Sequence, residues 1–185
     1  MRLRAYSRIG LPLLCLAVAT ALAADGAVNL RQSRLVATFK QQHVPVDADF
    51  KNFSGSVIYD AAKPDASMAT LSVEMNSLDI GDDDSDAEVR KPAWFDSARF
   101  PQATFRSTAI TPGAAGHFDA TGTLAIKGKT QTITVTVAVQ RTGGTNAFDG
   151  SFELSRKAFG IGDPTWDAVL DDAVRVHFHL LAAGA

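Results

Sequence analysis

The sequence predicts an all-β protein: an eight-stranded antiparallel β-barrel with a short helical insertion around residues 85–99. Three observations lead there. Apolar residues recur at every second position over most of the chain, the signature of strands with one buried face. About eight such stretches occur, several near ten residues long, or about 33 Å at ~3.3 Å per residue, longer than the usual five or six. No βαβ spacing appears, and a sheet of long antiparallel strands loses its exposed edges by closing on itself.

The first segment stands apart from the barrel. Arg2, Arg4 and Arg8 form a basic region, Ile9 to Val18 an apolar one, and Ala21-Leu22-Ala23 a small-x-small cleavage pattern. Residues 1–23 are therefore expected to be a cleavable signal peptide, leaving one domain at 24–185 in the periplasm. The apolar run is short for a membrane span. Cys15, the chain's one cysteine, lies in that segment behind Leu14, where a lipoprotein would need a small residue. The mature chain then has neither disulfide nor thiol chemistry. Taking the three arginines from eighteen basic residues leaves 15 against 20 acidic ones, a formal charge of −5. No basic stripe suits a nucleic acid.

Within the domain, Leu35, Ala37 and Phe39 share one strand face. Pro45 marks the next segment as an edge or bend, since it has no N–H for a ladder. Phe53, Gly55, Val57 and Tyr59 alternate, and after the turn residues Pro64-Asp65 so do Leu71, Val73 and Met75. Ser85-Asp86-Ala87-Glu88 has the form of a capping box, with Ser85 as N-cap, and Pro92 limits the helix it starts. Trp94, Phe95, Phe100 and Phe105 follow, either as a plug under a loop or as one wall of a cavity. Phe118, Ala120, Gly122, Leu124 and Ile126 run into Lys127-Gly128-Lys129, and Ile133, Val135, Val137 and Val139 return from it as a hairpin. Phe148, Phe152 and Leu154 continue the pattern. Phe159-Gly160-Ile161-Gly162 leads through Trp166 into an acidic loop, and Val174, Val176, Phe178 and Leu180 close the chain.

Chemistry has little to build on. No nucleophile elbow, metalloprotease helix or phosphate loop is present, and no catalytic residue is assigned. His177 and His179 share a strand face but lack a third ligand, so no metal site is assigned. The acidic run at residues 79–86 lacks the ligand spacing of a calcium loop. Asn52-Phe53-Ser54 is a glycosylation sequon that matters only on a eukaryotic secretory route. Apolar side chains are plentiful instead. A cavity lined by them would bind by burial, since ten methylenes at ~0.8 kcal/mol each give about 8 kcal/mol.

Four segments, SRLVATFKQQHVPVDADFKNFSGSVIYD, AEVRKPAWFDSARFPQATFRST, GTLAIKGKTQTITVTV and FELSRKAFGIGDPTW with the closing DDAVRVHFHL, resemble the YceI-like family of exported lipid-binding proteins. The resemblance covers nearly the whole mature chain. It implies an extended lipocalin-type barrel that holds a polyprenol, polyprenyl phosphate or isoprenoid quinone for transport, storage or sequestration. No cofactor is implied beyond such a lipid. A membrane b-type cytochrome and a homodimer are its implied partners, and an accessory or enzymatic role on a quinone-like ligand is the alternative. The chain departs from the broad family pattern at Val44–Phe50 and at Asp86-Ala87-Glu88. The expected cavity residues are Phe39, Phe53, Met75, Trp94, Phe95, Phe105, Leu124 and Phe159. Arg156 and His43 are the candidate head-group contacts; a surface salt bridge from Arg156 to Asp171 or Asp172 is the competing reading.

Overall fold

The computed structural model describes residues 26–184, so the expected signal peptide and Cys15 lie outside the described residues. Ten strands form one antiparallel sheet: β1 (Arg34–Gln41), β2 (Val44–Phe50), β3 (Phe53–Ile58), β4 (Met68–Glu74), β5 (Leu78–Asp79), β6 (Gln102–Pro112), β7 (His117–Ile126), β8 (Lys129–Thr142), β9 (Thr145–Ser155) and β10 (Ala173–Ala183). One helix, α1 (Asp83–Val89), interrupts them. The count of ten differs from the expected eight because two long strands are each broken once. Lys51-Asn52 separates β2 from β3, and a single 3-10 turn, Met75–Ser77, separates β4 from β5. The two breaks face each other, joined by Lys51 N–H to Ser77 O (3.0 Å) and Glu74 N–H to Asn52 O (3.0 Å).

Those breaks explain how the sheet closes. Its pairing order runs β3-β4-β6-β7-β8-β9-β10-β1-β2-β5. The terminal members β3 and β5 continue β2 and β4, which already lie near the opposite ends of the order. With each broken strand counted as one, eight strands follow one another around a ring. Where β1 is too short to flank all of β10, residues 26–29 fill in: Ala27 bridges Ser56 of β3 and Val28 bridges Ala182 of β10.

Alternation decides which residues enter the ring. Phe118, Ala120, Leu124 and Ile126 on β7 and Val135 and Val137 on β8 are buried in one cluster with Phe148, Val176 and Leu180. The hairpin between β7 and β8 turns on Lys127 and Gly128, both at positive φ (49° and 73°) as a two-residue turn requires. Helix α1 begins two residues before the expected cap. Asp82, not Ser85, is the N-cap, accepting from Ser85 N–H (2.9 Å) and Ser85 Oγ (2.7 Å). An ionised carboxylate accepts more strongly than a hydroxyl, so the cap moves to Asp82. Glu88 turns outward to Lys91 and to Trp94 Nε1 (3.2 Å). The helix is over at Arg90, just ahead of Lys91-Pro92, as the sequence leads one to expect.

Candidate functional site

An internal cavity of ≈ 220 Å³ runs within the ring. Its side-chain lining comes from nearly every strand, from Leu35 on β1 to Leu180 on β10, and is apolar except for Thr70, Thr104 and Arg156. Such a surface attracts apolar matter by burial and offers little to a polar solute.

The two ends of the ring are closed differently. At one end Tyr59 stacks on Phe118 (centroids 4.3 Å apart) and Phe118 meets Phe148 edge-on at 6.1 Å. Phe118 and Phe148 are each only 1% exposed, so this end is packed. At the other end, α1 with residues 90–101 meets the loop 156–172. Trp94 packs edge-on against Trp166 at 5.8 Å, and Gly162 N–H bonds Ala93 O (3.0 Å). Lys127 at the β7–β8 turn donates to Gly160 O (2.7 Å) and Ala93 O (3.4 Å), so one ammonium ties both halves of this cap. Burial beside those carbonyls pushes its pKa down, with Asp96 opposing.

Arg156 organises the loop side of the cap. It is 2% exposed and lines the cavity. Its guanidinium donates to Asp171 O (3.0 Å), Ile161 O (3.1 Å), Leu170 O (2.9 Å) and the Asp167 carboxylate (2.7 Å). The surface salt bridge expected as the competing reading is therefore corrected on two counts. Arg156 is buried rather than exposed, and its ion-pair partner is Asp167. Asp171 contributes only its carbonyl, and Asp172 instead takes Ser155 Oγ and Lys157 N–H. Lys157 and then Arg156 hold the Asp167 carboxyl below the usual carboxylate range.

The other expected residues divide cleanly. Phe39, Met75, Trp94, Phe95, Phe105 and Leu124 line the cavity, and Phe105 and Leu124 are cross-strand partners. Phe53 (3% exposed) and Phe159 (0%) are buried in the core but are not on the cavity surface. Alternation marks a residue as inward; whether it reaches the lumen or packs behind a neighbour is settled by tertiary contacts. His43 sits exposed at positive φ on the β1–β2 turn, away from the lining. The aromatics of residues 85–105 prove to have separate duties: Trp94 belongs to the cap, Phe95 and Phe105 to the wall, and Phe100 lies under Arg99. His177 and His179 face outward, His179 paired with Asp149 (2.6 Å). Among the described residues no group of three acidic, histidine or cysteine side chains is placed to hold a metal. Sequence reading missed Phe50, Ile80, Val89, Leu170 and Phe178 as lining residues. Phe178 was legible as inward; Ile80 and Val89 flank the helix, where the two-residue period gives no signal.

Comparison with known proteins fits this geometry. A family model described as the YceI-like domain matches residues 27–182. A protein of Azotobacter vinelandii called a UPF0312 protein is 31% identical over 150 residues, covering 76% of this chain and 78% of its own. The crystal structure of Burkholderia cenocepacia BcnA is similar with a TM-score of 0.82 and 39% identity, covering 84% of this chain and 99% of that one. A polyisoprenoid-binding domain of Saccharophagus degradans, described as implicated in plant cell wall breakdown, shares the fold at a TM-score of 0.69 and 20% identity. That alignment covers 85% of this chain and 97% of the domain.

Proposed function

The chain belongs to the YceI-like family, and from that premise we propose that it is an exported, non-enzymatic binding protein for a long-chain isoprenoid-type lipid. The carrying observation is the lining of the cavity: one charged side chain, Arg156, already compensated by Asp167, and otherwise apolar walls with two threonines. The shared fold of the Saccharophagus degradans polyisoprenoid-binding domain supports the isoprenoid class. The cavity's ≈ 220 Å³ exceeds the roughly 150 Å³ of an engineered cavity that takes up benzene, and falls short of the roughly 300 Å³ at which drug-sized pockets begin. It therefore suits a segment of a slender chain better than a bulky ring system. A polyprenol, a polyprenyl phosphate or an isoprenoid quinone would place its tail along Phe39, Met75, Phe105 and Leu124. The physiological use would be transport, storage or sequestration in the periplasm.

The enzymatic alternative has less support. His43, the histidine that reading would need in the cavity, lies outside it. A membrane b-type cytochrome and a second copy of the chain are the partners consistent with the proposal, to be sought by pull-down from solubilised membranes and by sedimentation.

The deciding experiment is native mass spectrometry and solvent extraction of the purified protein from its own host, followed by offering defined polyprenols and quinones to the delipidated form. A co-purifying isoprenoid, or stoichiometric uptake, is the expected result. A protein that emerges empty and takes up neither class would overturn the proposal. Cell fractionation with detection of the mature amino terminus checks export.

A further inference from the structure

The ring of strands is not hydrogen-bonded all the way round. β8 pairs with β7 over ten residues, from Ile126↔Lys129 to His117↔Ala138. Its pairing with β9 covers only the far half, from Thr142↔Thr145 to Val137↔Gly150. From there toward the cap, residues 129–136 of β8 and 151–155 of β9 have no partner in each other, although β9 stays paired to β10 up to Ser155↔Ala173. The ladder between the two strands ends halfway along β8.

Side-chain exposure rises along the unpaired stretch. On β8 Val137, the last residue of the ladder, and Val135 just past it are 5% and 4% exposed, whereas Ile133, farther along the unpaired stretch, is only half-buried. On β9 Phe148 is 1% exposed, whereas Phe152 and Leu154 are half-buried. Ile133, Phe152 and Leu154 all line the cavity. Another stretch lacking a ladder, the side of β2 away from β1 before Asp49, differs: its inward Ala48 is 2% exposed and the lining beside it includes Ile80 and Val89 from the ends of the helical segment. Both ends of the ring are capped, by Tyr59–Phe118–Phe148 and by Trp94–Trp166 with the Arg156 and Lys127 bonds. The seam is bounded at the cap by Lys127 on Gly160 O and at its foot by Gly150, on which the Phe178 ring lies.

We propose that the slit between residues 129–136 of β8 and 151–155 of β9 is a lateral portal through which an aliphatic lipid chain enters and leaves the cavity. Its eight residues on β8, seven steps at ~3.3 Å, give it a length of about 23 Å on that side, enough for a chain to be fed in sideways. The apolar flanks Ile133, Phe152 and Leu154 keep the chain out of water during passage. A cavity of ≈ 220 Å³ also leaves part of a long lipid outside, and the slit is where that part emerges. The inference rests on the lipid-binding reading, and its test separates the two.

Thr134 and Glu153 are exposed on the outer face, on opposite sides of the slit, so cysteines there leave the lining intact. The variant Thr134→Cys/Glu153→Cys, joined by a short bis-maleimide, is compared with the same variant capped singly by N-ethylmaleimide, using a dansyl-labelled polyprenol and stopped-flow fluorescence. The portal predicts that the link slows both uptake and release at least tenfold, with circular dichroism unchanged, while the singly capped protein exchanges like wild type. Equal exchange rates in linked and unlinked protein would overturn it. So would a slowing absent from the link together with faster exchange in Lys127→Met, which loosens the end cap and would place the entrance there. If the unlinked protein binds no labelled polyprenol, the lipid-binding reading itself falls, and the portal with it.

Discussion

At the scale of single residues, two side chains carry consequences out of proportion to their size. Arg156 is a buried cation whose hydrogen bonds go to three carbonyls of its own loop and to Asp167, so its role is to hold the cap. Replacing it by Met leaves those carbonyls short of donors and Asp167 without its buried partner. The expected loss is about 3 kcal/mol in urea unfolding, below the upper range for buried pairs because Asp167 is partly solvated. Arg156→Lys should recover little of it, since one ammonium cannot reproduce a planar fork with four acceptors. A variant as stable as wild type would show the network to be incidental. Gly150 acts through absence: a Cβ there would stand 2.4 Å from the Phe178 ring, to which its three nearest atoms all belong. Gly150→Ala must therefore displace that ring, and the cavity side is where space exists. The prediction is a lower capacity for bulky isoprenoids with straight-chain fatty alcohols retained, read by competition titration; equal losses for both would argue against a width effect.

At the scale of elements, the helical segment and the loop 156–172 act together as one cap, and each has its own weak point. For α1 that point is Asp82. Asp82→Ala should lower the urea midpoint, as N-cap deletions do, whereas Ser85→Ala should lower it less because Ser85 only supports the cap. Paired urea melts decide the order, and the reverse order would restore Ser85 as the cap. For the loop, the weak point is Asp167. Its carboxyl is held below the ordinary value by Lys157 and Arg156, so the stabilisation it gives is complete above that ordinary value, about 3.9. It is lost as pH falls through the lower, folded value, when Arg156 is left as a buried cation without its partner. The cap is then expected to loosen only below about pH 3.9, followed by emission of Trp94 and Trp166, which touch across it. In Asp167→Asn the same change should already be present at neutral pH. A wild-type transition centred above the ordinary carboxylate value would contradict the assignment.

At the scale of the whole molecule, the strands were legible in the sequence because a two-residue period is a local signal. Phe118 to Ile126 and Ile133 to Val139 fold as the hairpin their alternation describes. What stayed hidden depends on neighbours far away in the chain. Nothing local to Lys51-Asn52 announces a break, because the reason for it is the turn at Met75–Ser77 across the ladder. Nothing local to Arg156 says that three carbonyls of the following loop will surround it, and Phe53 and Phe159 carry no mark of lying behind the lumen. The closure of the ring is the extreme case, since it relies on residues 26–29, a stretch with no strand pattern. Val28 N–H bonds Gly55 O (3.0 Å), Val57 N–H bonds Gly26 O (2.8 Å), Asn29 N–H bonds Leu181 O (2.7 Å) and Ala183 N–H reaches Ala27 O (3.4 Å). Four backbone bonds at ~1 kcal/mol each make this patch worth about 4 kcal/mol. Deleting residues 26–29 would also uncover the edge of β3 and the end of β10, and unpaired edges recruit other chains. The truncated protein should therefore melt at lower urea and show concentration-dependent association in sedimentation beyond any shown by the full chain. A truncated protein that associates no more than the full chain and is equally stable would mean that β3 and β10 hold the seam without the segment between them.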